Sequence, residues 1–364
     1  MVVEGRFTAV VTRSTGSWYE VRTAEGEIFS ARLRGRLRLA GSRATNPVVV
    51  GDAVECSIEA IGGSSGAGAG GGAGSGAGSG ASSDQSAKEV WIEAIGPRRN
   101  YIIRRASNLS RESHIIAANV DQALVVATLA SPATPTEFID RFLVTCEAYG
   151  VPATILLNKV DLVLATDGGE EAMERFAAIY RGAGYRVIFA SARTGLGVEE
   201  VREFLRGRTT LVSGNSGVGK STLVGAVSPG LEIRVGEVSR SHGKGMHTTT
   251  FSQMYLLDGL PNTDIASDGA GSDSGSGSTS SGGGGYIIDT PGIKGFGLID
   301  ISADELCRYF PDLMRFSSDC QYYNCTHTHE PGCAVVRAVE EGAIADERYM
   351  SYLKMLEEDG KYRK

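Results

Sequence analysis

The order of four short motifs constrains this 364-residue chain more than any other feature of its sequence. Asn158-Lys159-Val160-Asp161 comes first, and Ser191-Ala192-Arg193 follows. Next is Gly214-Asn215-Ser216-Gly217-Val218-Gly219-Lys220-Ser221, a loop of the form G-x-x-x-x-G-K-[ST], with Thr222 directly behind it. Asp289-Thr290-Pro291-Gly292 comes last. Each stands just after a short apolar run, at 153–157, 186–189, 210–212 and 286–288. Segments 136–149, 170–181 and 198–205 have helical spacing, the first at Phe138, Phe142 and Cys146. Strand-like runs alternating with helices imply a parallel sheet covered by helices, with ligands at the carboxyl ends of its strands. All four motifs fall at those ends.

The chemistry of the motifs is that of a guanine nucleotide. Glycines let residues 214–219 turn backbone N–H groups onto phosphates, and a helix starting near Lys220 adds its positive end. Lys220 is suited to neutralise β- and γ-phosphate oxygens, and the Ser221 hydroxyl to ligate Mg²⁺. Asp161 can accept two hydrogen bonds from guanine; adenine offers no such pair and would leave the carboxylate unsatisfied. Lys159 is expected along the base, Asn158 between this loop and the phosphate loop, and Ser191 and Ala192 behind it. Asp289 and Gly292 read as the metal and γ-phosphate switch. A Ras-type GTPase runs phosphate loop, switches, then base recognition. Here the base-recognition half comes first, which is a circular permutation.

The first switch is expected within 243–250, where Gly243 and Gly245 permit movement and Thr248, Thr249 or Thr250 offers a hydroxyl to Mg²⁺. Ile293 follows the last motif where Ras-type proteins use a glutamine to orient water. Isoleucine cannot hydrogen-bond water, so slow intrinsic hydrolysis is expected, with another group recruited when a partner docks. His247 is the nearest motif-linked candidate; a polar switch residue without catalytic role is the alternative.

Before the first motif, short strands at 17–21, 27–31, 53–56 and 89–93 with turns between them suggest a small β-barrel. Arg32, Arg34, Arg36 and Arg38 alternate with Leu33, Gly35, Leu37 and Leu39. In a strand that period gathers four guanidiniums on one face, suited to the phosphates of a polyanion, or else simply solvated. Net charge is −7 overall, yet residues 1–105 carry 13 Lys/Arg against 10 Asp/Glu. Segments 62–87 and 262–285 are rich in Gly and Ser, cannot bury apolar surface, and read as flexible insertions.

After the last motif comes Cys320-x₄-Cys325-x-His327-x₅-Cys333. Three thiolates and an imidazole suit one tetrahedral Zn²⁺ in a closed structural site, with His329 as the alternative imidazole. Such clustering fits a reducing compartment better than a disulfide framework. Segments 334–341 and 347–358 have helical spacing, with Tyr349, Tyr352, Leu353 and Leu356 on one face of the second. No signal peptide or membrane span is apparent.

On these motifs, with Ile116-Ala117-Ala118-Asn119-Val120-Asp121-Gln122 and His247-Thr248-Thr249-Thr250, the chain resembles the ribosome-small-subunit-dependent GTPases, the RsgA or YjeQ family. The resemblance covers nearly the whole chain except the two insertions. It implies an OB-fold RNA-binding domain over 1–98, a circularly permuted GTPase domain over 99–300, and a zinc-knuckle and helical domain over 301–364. It further implies a cytoplasmic, monomeric enzyme that hydrolyses GTP to GDP and phosphate, binds the small ribosomal subunit and its rRNA, and assists late maturation. Thr249 is then the switch ligand of Mg²⁺ with Ser221 and Asp289, His327 the fourth zinc ligand, and Lys220, Thr249 and His247 the catalytic set. The arginine row becomes the rRNA contact.

Overall fold

The computed structural model describes residues 5–15, 18–35, 47–60, 88–105, 113–229, 231, 252–257, 284–289 and 301–362. Arg36, Arg38, His247, Thr248, Thr249, Thr250, Gly292, Ile293, the insertion 62–87 and residues 262–283 lie outside them.

Alternation builds the amino-terminal domain. Strands β1 (Arg6–Ser14), β2 (Tyr19–Arg22), β3 (Ile28–Leu33), β4 (Ala53–Ala60) and β5 (Lys88–Ile95) follow one another along the chain. They are ordered β1-β2-β3-β5-β4, and β4 returns onto β1 to close a barrel. Only β3 and β5 run parallel among these pairs. This closed five-stranded barrel is an OB-fold. Every second residue points inward, so Ala9, Val11, Tyr19, Val21, Ala31, Leu33, Val54, Cys56, Val90 and Ile92 form one buried core. Strand β3 ends at Leu33, so Arg32 lies in it and Arg34 just beyond it, while the rest of the arginine run lies outside the described residues.

The central domain opens with a hairpin that the sequence reading did not anticipate, β6 (Tyr101–Arg105) with β7 (Ser113–Ala118). Then come β8 (Gln122–Ala127), α1 (Thr136–Ala148), β9 (Ala153–Leu157), α2 (Val160–Leu164), α3 (Gly169–Gly182) and β10 (Arg186–Phe189). They are followed by α4 (Val198–Leu205), β11 (Thr209–Ser213), α5 (Lys220–Val227), β12 (Gln253–Leu257) and β13 (Gly285–Asp289). The sheet order is β10-β9-β8-β11-β13-β12, parallel except for β12. The phosphate-loop strand β11 is therefore central, with a strand from earlier in the chain on one side and a later one on the other. That is the permuted order of motifs expressed in space.

Strand β8 is buried on both faces, as parallel strands covered by helices are. Ala123, Val125 and Ala127 face Phe142 of α1 and Phe176 and Tyr180 of α3. Leu124 and Val126 belong to the opposite layer, with Val201 and Phe204 of α4 and Leu223 and Val224 of α5. Each buried Leu, Val or Phe side chain contributes about 1.5–3 kcal/mol, so the two layers hold the sheet rigid beneath the loops.

The carboxyl-terminal module comprises a 3₁₀ turn (Leu306–Tyr309), α6 (Pro311–Ser317), α7 (Ala334–Glu340) and α8 (Asp346–Tyr362). Its core of Leu306, Phe310, Leu313, Val335, Tyr352 and Met355 also takes in Val144 of α1. The barrel has its own anchor on the central domain: Arg98 grips Asp52 through Nε at 2.6 Å, and Asn119 Nδ2 donates to Gly51 O at 3.0 Å. At Gly51, where φ is +88°, a Cβ would stand 2.1 Å from Ala118 O, so the barrel turn is seated backbone against backbone.

Candidate nucleotide site and metal cluster

Four strand ends converge on one site. The phosphate loop leaves β11, and its Gly219 has φ +91°. A Cβ there would lie 2.6 Å from Asn158 Nδ2, so only glycine allows the base-recognition loop to close on it. Asn158 is buried and donates through Nδ2 to Val218 O at 2.8 Å. Its Oδ1 accepts from the Ala192 amide at 3.4 Å. One side chain thus joins the loops after β9, β10 and β11, as the sequence suggested for Asn158.

Lys159 sits in the left-handed region, with φ 60° and ψ 33°. From there its Nζ donates to Gly217 O at 2.6 Å and Ser131 O at 2.5 Å, at the mouth of the phosphate loop. Asp161 opens α2, and its Oδ1 accepts from the buried Ser191 hydroxyl at 2.7 Å. Ser191 Oγ also accepts from the Thr194 amide at 3.2 Å. The carboxylate is held by one oxygen and keeps lone pairs for donors on a base edge. Val160 is buried beneath it.

Lys220, at the start of α5, donates to Gly214 O at 2.5 Å and Asn215 O at 3.1 Å. Ser216 and Gly217 are exposed on the rim, Ser221 is half-buried in the first helical turn, and Thr222 is exposed. The Asp289 backbone ends β13 in register with Val212 of β11, just ahead of Gly214. Ser221 on α5 offers a hydroxyl at this edge of the site, an oxygen donor that suits a hard divalent cation.

The sequence reading missed the loop between β8 and α1 as a wall of this site. It supplies Ser131 O to Lys159, and Pro132 Cδ lies 3.3 Å from where a Gly217 Cβ would be. Its signal was faint: backbone carbonyls carry no residue code, and only Pro132 marks the turn.

The four residues of the terminal cluster meet. Cys320 Sγ is 3.5 Å from His327 Nδ1 and 3.9 Å from Cys333 Sγ, and Cys333 Sγ is 3.6 Å from His327 Nδ1. With Cys325, all ligand atoms lie within 4.8 Å of one another. A tetrahedral zinc with S at ~2.3 Å and N at ~2.0–2.1 Å would need edges of roughly 3.8 Å (S···S) and 3.6 Å (S···N), so the donors fit. His329 Nδ1 instead contacts Thr328 Oγ1 at 2.7 Å on the exposed side of the loop. Burial lowers the His327 pKa, which favours the neutral ring that ligates, and pushes the Cys325 thiol up to about 12. A thiolate there calls for a cation. Tyr349 and Tyr352 hold the loop by donating to His327 O at 2.7 Å and Thr326 O at 2.9 Å.

The arginines of the barrel are less free than their alternation suggested. Arg32 pairs with Glu89 at 2.9 Å and stacks over Trp18 at 4.1 Å. Arg34, past the end of β3, pairs with Glu93 at 2.9 Å and with Glu59, over the Trp91 ring. Among the described residues no helix is long and apolar enough to cross a membrane.

Comparison with known proteins follows the same division. A family model described as the RsgA GTPase matches residues 95–266, and one described as the RsgA N-terminal domain matches residues 8–64. The small ribosomal subunit biogenesis GTPase RsgA of Bacteroides fragilis is 46% identical over 357 residues, covering 97% of this chain and 98% of that protein. The protein of the same name from Porphyromonas gingivalis is 42% identical over 354 residues. The crystal structure of YjeQ from Thermotoga maritima superposes with a TM-score of 0.67 at 29% identity, covering 98% of this chain and 99% of that one. YloQ, described as a circularly permuted GTPase, superposes with a TM-score of 0.64 at 25% identity, covering 99% and 96%.

Proposed function

The chain belongs to the RsgA GTPase family, and from that premise we propose that it couples GTP hydrolysis to binding and leaving the small ribosomal subunit during its late maturation. The observation that carries the nucleotide part is the Asn158 bridge to Val218 O, which brings the base-recognition and phosphate loops into one site. In this reading the N–H groups of residues 214–219 cradle the phosphates and Lys220 neutralises the β- and γ-oxygens. Asp161, aimed by Ser191, selects guanine over adenine. Ser221, Thr249 and Asp289 would hold Mg²⁺, which would supply charge neutralisation at the phosphates. Gly292 senses the γ-phosphate, and His247 orients the attacking water once a partner has docked.

Cys320, Cys325, His327 and Cys333 hold one Zn²⁺ in a closed, structural site, whose role is to order the loop between α6 and α7. The barrel meets rRNA through the face of Trp18, Arg32 and Arg34, and Arg36 and Arg38 join this reading by sequence alone. RNA phosphates there compete with Glu89, Glu59 and Glu93 for the guanidiniums, so this contact is weaker and less salt-sensitive than an unpaired row would be. Co-sedimentation tests the ribosomal part. With a non-hydrolysable GTP analogue the protein pellets with purified small subunits and not with large ones, and it pellets less with GDP. Equal pelleting with both subunits, or with both nucleotides, contradicts the proposal.

A further inference from the structure

The barrel is not merely tethered to the GTPase domain; it shares a sheet with it. Strand β1 pairs antiparallel with β12 at Arg13 and Gln253. From there one row of paired residues crosses the whole domain. Gln253 is opposite Asp289 on β13. Asp289 is opposite Val212 on β11, Val212 opposite Leu124 on β8, and Leu124 opposite Thr154 on β9. The barrel strand therefore lies in register with the aspartate proposed to hold Mg²⁺, one strand removed from it. A register shift in β1 between Val11 and Arg13 makes this geometry possible. A bulge bends a strand and increases its twist, which lets β1 serve the barrel with one end and the open edge of β12 with the other.

The seam does not hold the barrel on alone. Asn119 Nδ2 with Gly51 O at 3.0 Å and the Ala118 amide with Val50 O at 2.9 Å fasten it independently, Arg98 grips Asp52 in the connection after β5, and within the central domain Arg99 pairs with Asp121 at 2.8 Å. Asp121 in turn accepts the Thr209 amide at 2.8 Å, at the start of β11. A junction that is one of several attachments, yet in register with Asp289, is placed to transmit as well as to anchor.

The geometry points to the Arg13–Gln253 seam as the positioning element through which engagement of the barrel raises the rate of hydrolysis. It acts through the backbone register of β12 and β13 at Asp289. This rests on the ribosomal reading above and deepens it by naming the route of stimulation. The seam works closed: barrel occupancy restrains β1, β1 restrains β12, and β12 fixes the end of β13. Coupling of this kind acts on the catalysed step and leaves the affinity for GTP, set by Asp161 and the phosphate loop, as it was.

Two constructions test it. Arg13→Pro is aimed at the pairing of β1 with β12, at a register shift where proline is tolerated, and lies outside the β12–β13 pairing. Small subunits should bind this variant, and basal turnover and the KM for GTP should hold, while subunit-stimulated kcat falls by about tenfold, a typical coupling between sites. The paired variant Arg13→Cys/Gln253→Cys can be locked reversibly, because Cα separations of about 4.5–5.5 Å across an antiparallel pair fall in the disulfide range. Oxidised, it should keep full stimulation. Three results overturn the proposal: Arg13→Pro stimulated like the unmodified chain, Arg13→Pro failing to bind subunits at all, or stimulation lost on oxidation and regained on reduction. Absence of stimulation in the unmodified chain is distinguishable from these, since it refutes the ribosomal reading and this inference together.

Discussion

Arg348 on α8 donates through Nη1 to Asp140 Oδ1 on α1 at 2.7 Å, and both side chains are 0% exposed. Asp312 on α6 takes the other edge of the same guanidinium, at 3.0 Å from Nε and 2.8 Å from Nη2. Phe310 stacks on it at 4.6 Å. Burial works against this charge, and the carboxylates of Asp140 and Asp312 more than offset it, so Arg348 stays protonated. This buried cation bolts the terminal module to the GTPase domain, and Lys354 with Glu137 at 3.2 Å and Arg315 with Gly182 O at 3.0 Å add exposed contacts beside it.

Removing that cation leaves two buried carboxylates facing each other. Arg348→Ala should cost about 3–5 kcal/mol, measured by urea unfolding of the full chain. Asp140→Asn should cost clearly less. Burial already raises the Asp140 pKa, and Asp312 alone can neutralise Arg348 through two hydrogen bonds. Equal costs for the two variants would contradict this division.

The meeting of Gly219 and Asn158 predicts a sharp dependence on one methyl group. Gly219→Ala puts a Cβ where Asn158 Nδ2 now lies and strains a left-handed backbone, so GTP and GDP binding should both be lost. Asn158→Ala leaves Val218 O without its buried donor, a cost of about 1–3 kcal/mol, so both affinities should fall by about five- to a hundredfold. Calorimetric titration with GTP and GDP checks this; an effect on one nucleotide alone contradicts it.

Base choice is expected to depend on Ser191. Its hydroxyl aims the Asp161 carboxylate at 2.7 Å, and a hydrogen bond to a charged group is worth about 1.5–3 kcal/mol. Ser191→Ala should weaken GTP binding about tenfold or more while barely changing the weak binding of ATP, and Asp161→Asn should abolish the preference. Competition between the nucleotides for a fluorescent GDP derivative measures the ratio.

Much of this site was legible in the sequence because its chemistry rests on motifs. Gly214 to Ser221, Asn158 to Asp161 and Cys320 to Cys333 each carry side chains or glycines at spacings that few other structures need. The order of motifs gave the permuted topology. What escaped was fixed by long-range contact. Arg348 and Asp140 are separated by most of the chain, and neither lies in a pattern that announces a partner. The hairpin of β6 and β7 was hidden because neither strand alternates cleanly. The surroundings of the arginine run were hidden for a related reason: alternation shows which face a residue takes, while the acids on β4 and β5 that pair with Arg32 and Arg34 sit far away in sequence.

For the metal cluster, freshly purified protein should contain one zinc per chain by elemental analysis. Cys333→Ser should lose it and loosen the terminal module, whose core includes the Cys333 side chain. His327→Ala should lose zinc too, whereas His329→Ala should retain it, because His329 faces outward to Thr328. Zinc retained by His327→Ala and lost by His329→Ala would reverse the assignment.

The most direct measurement is steady-state GTP turnover by the full chain with purified small subunits, with large subunits, and with neither. Turnover should be slow alone, unchanged with large subunits, and faster by about tenfold or more with small subunits, in keeping with the coupling expected between linked sites. Turnover that is the same in all three conditions would contradict a GTPase cycle governed by the small subunit.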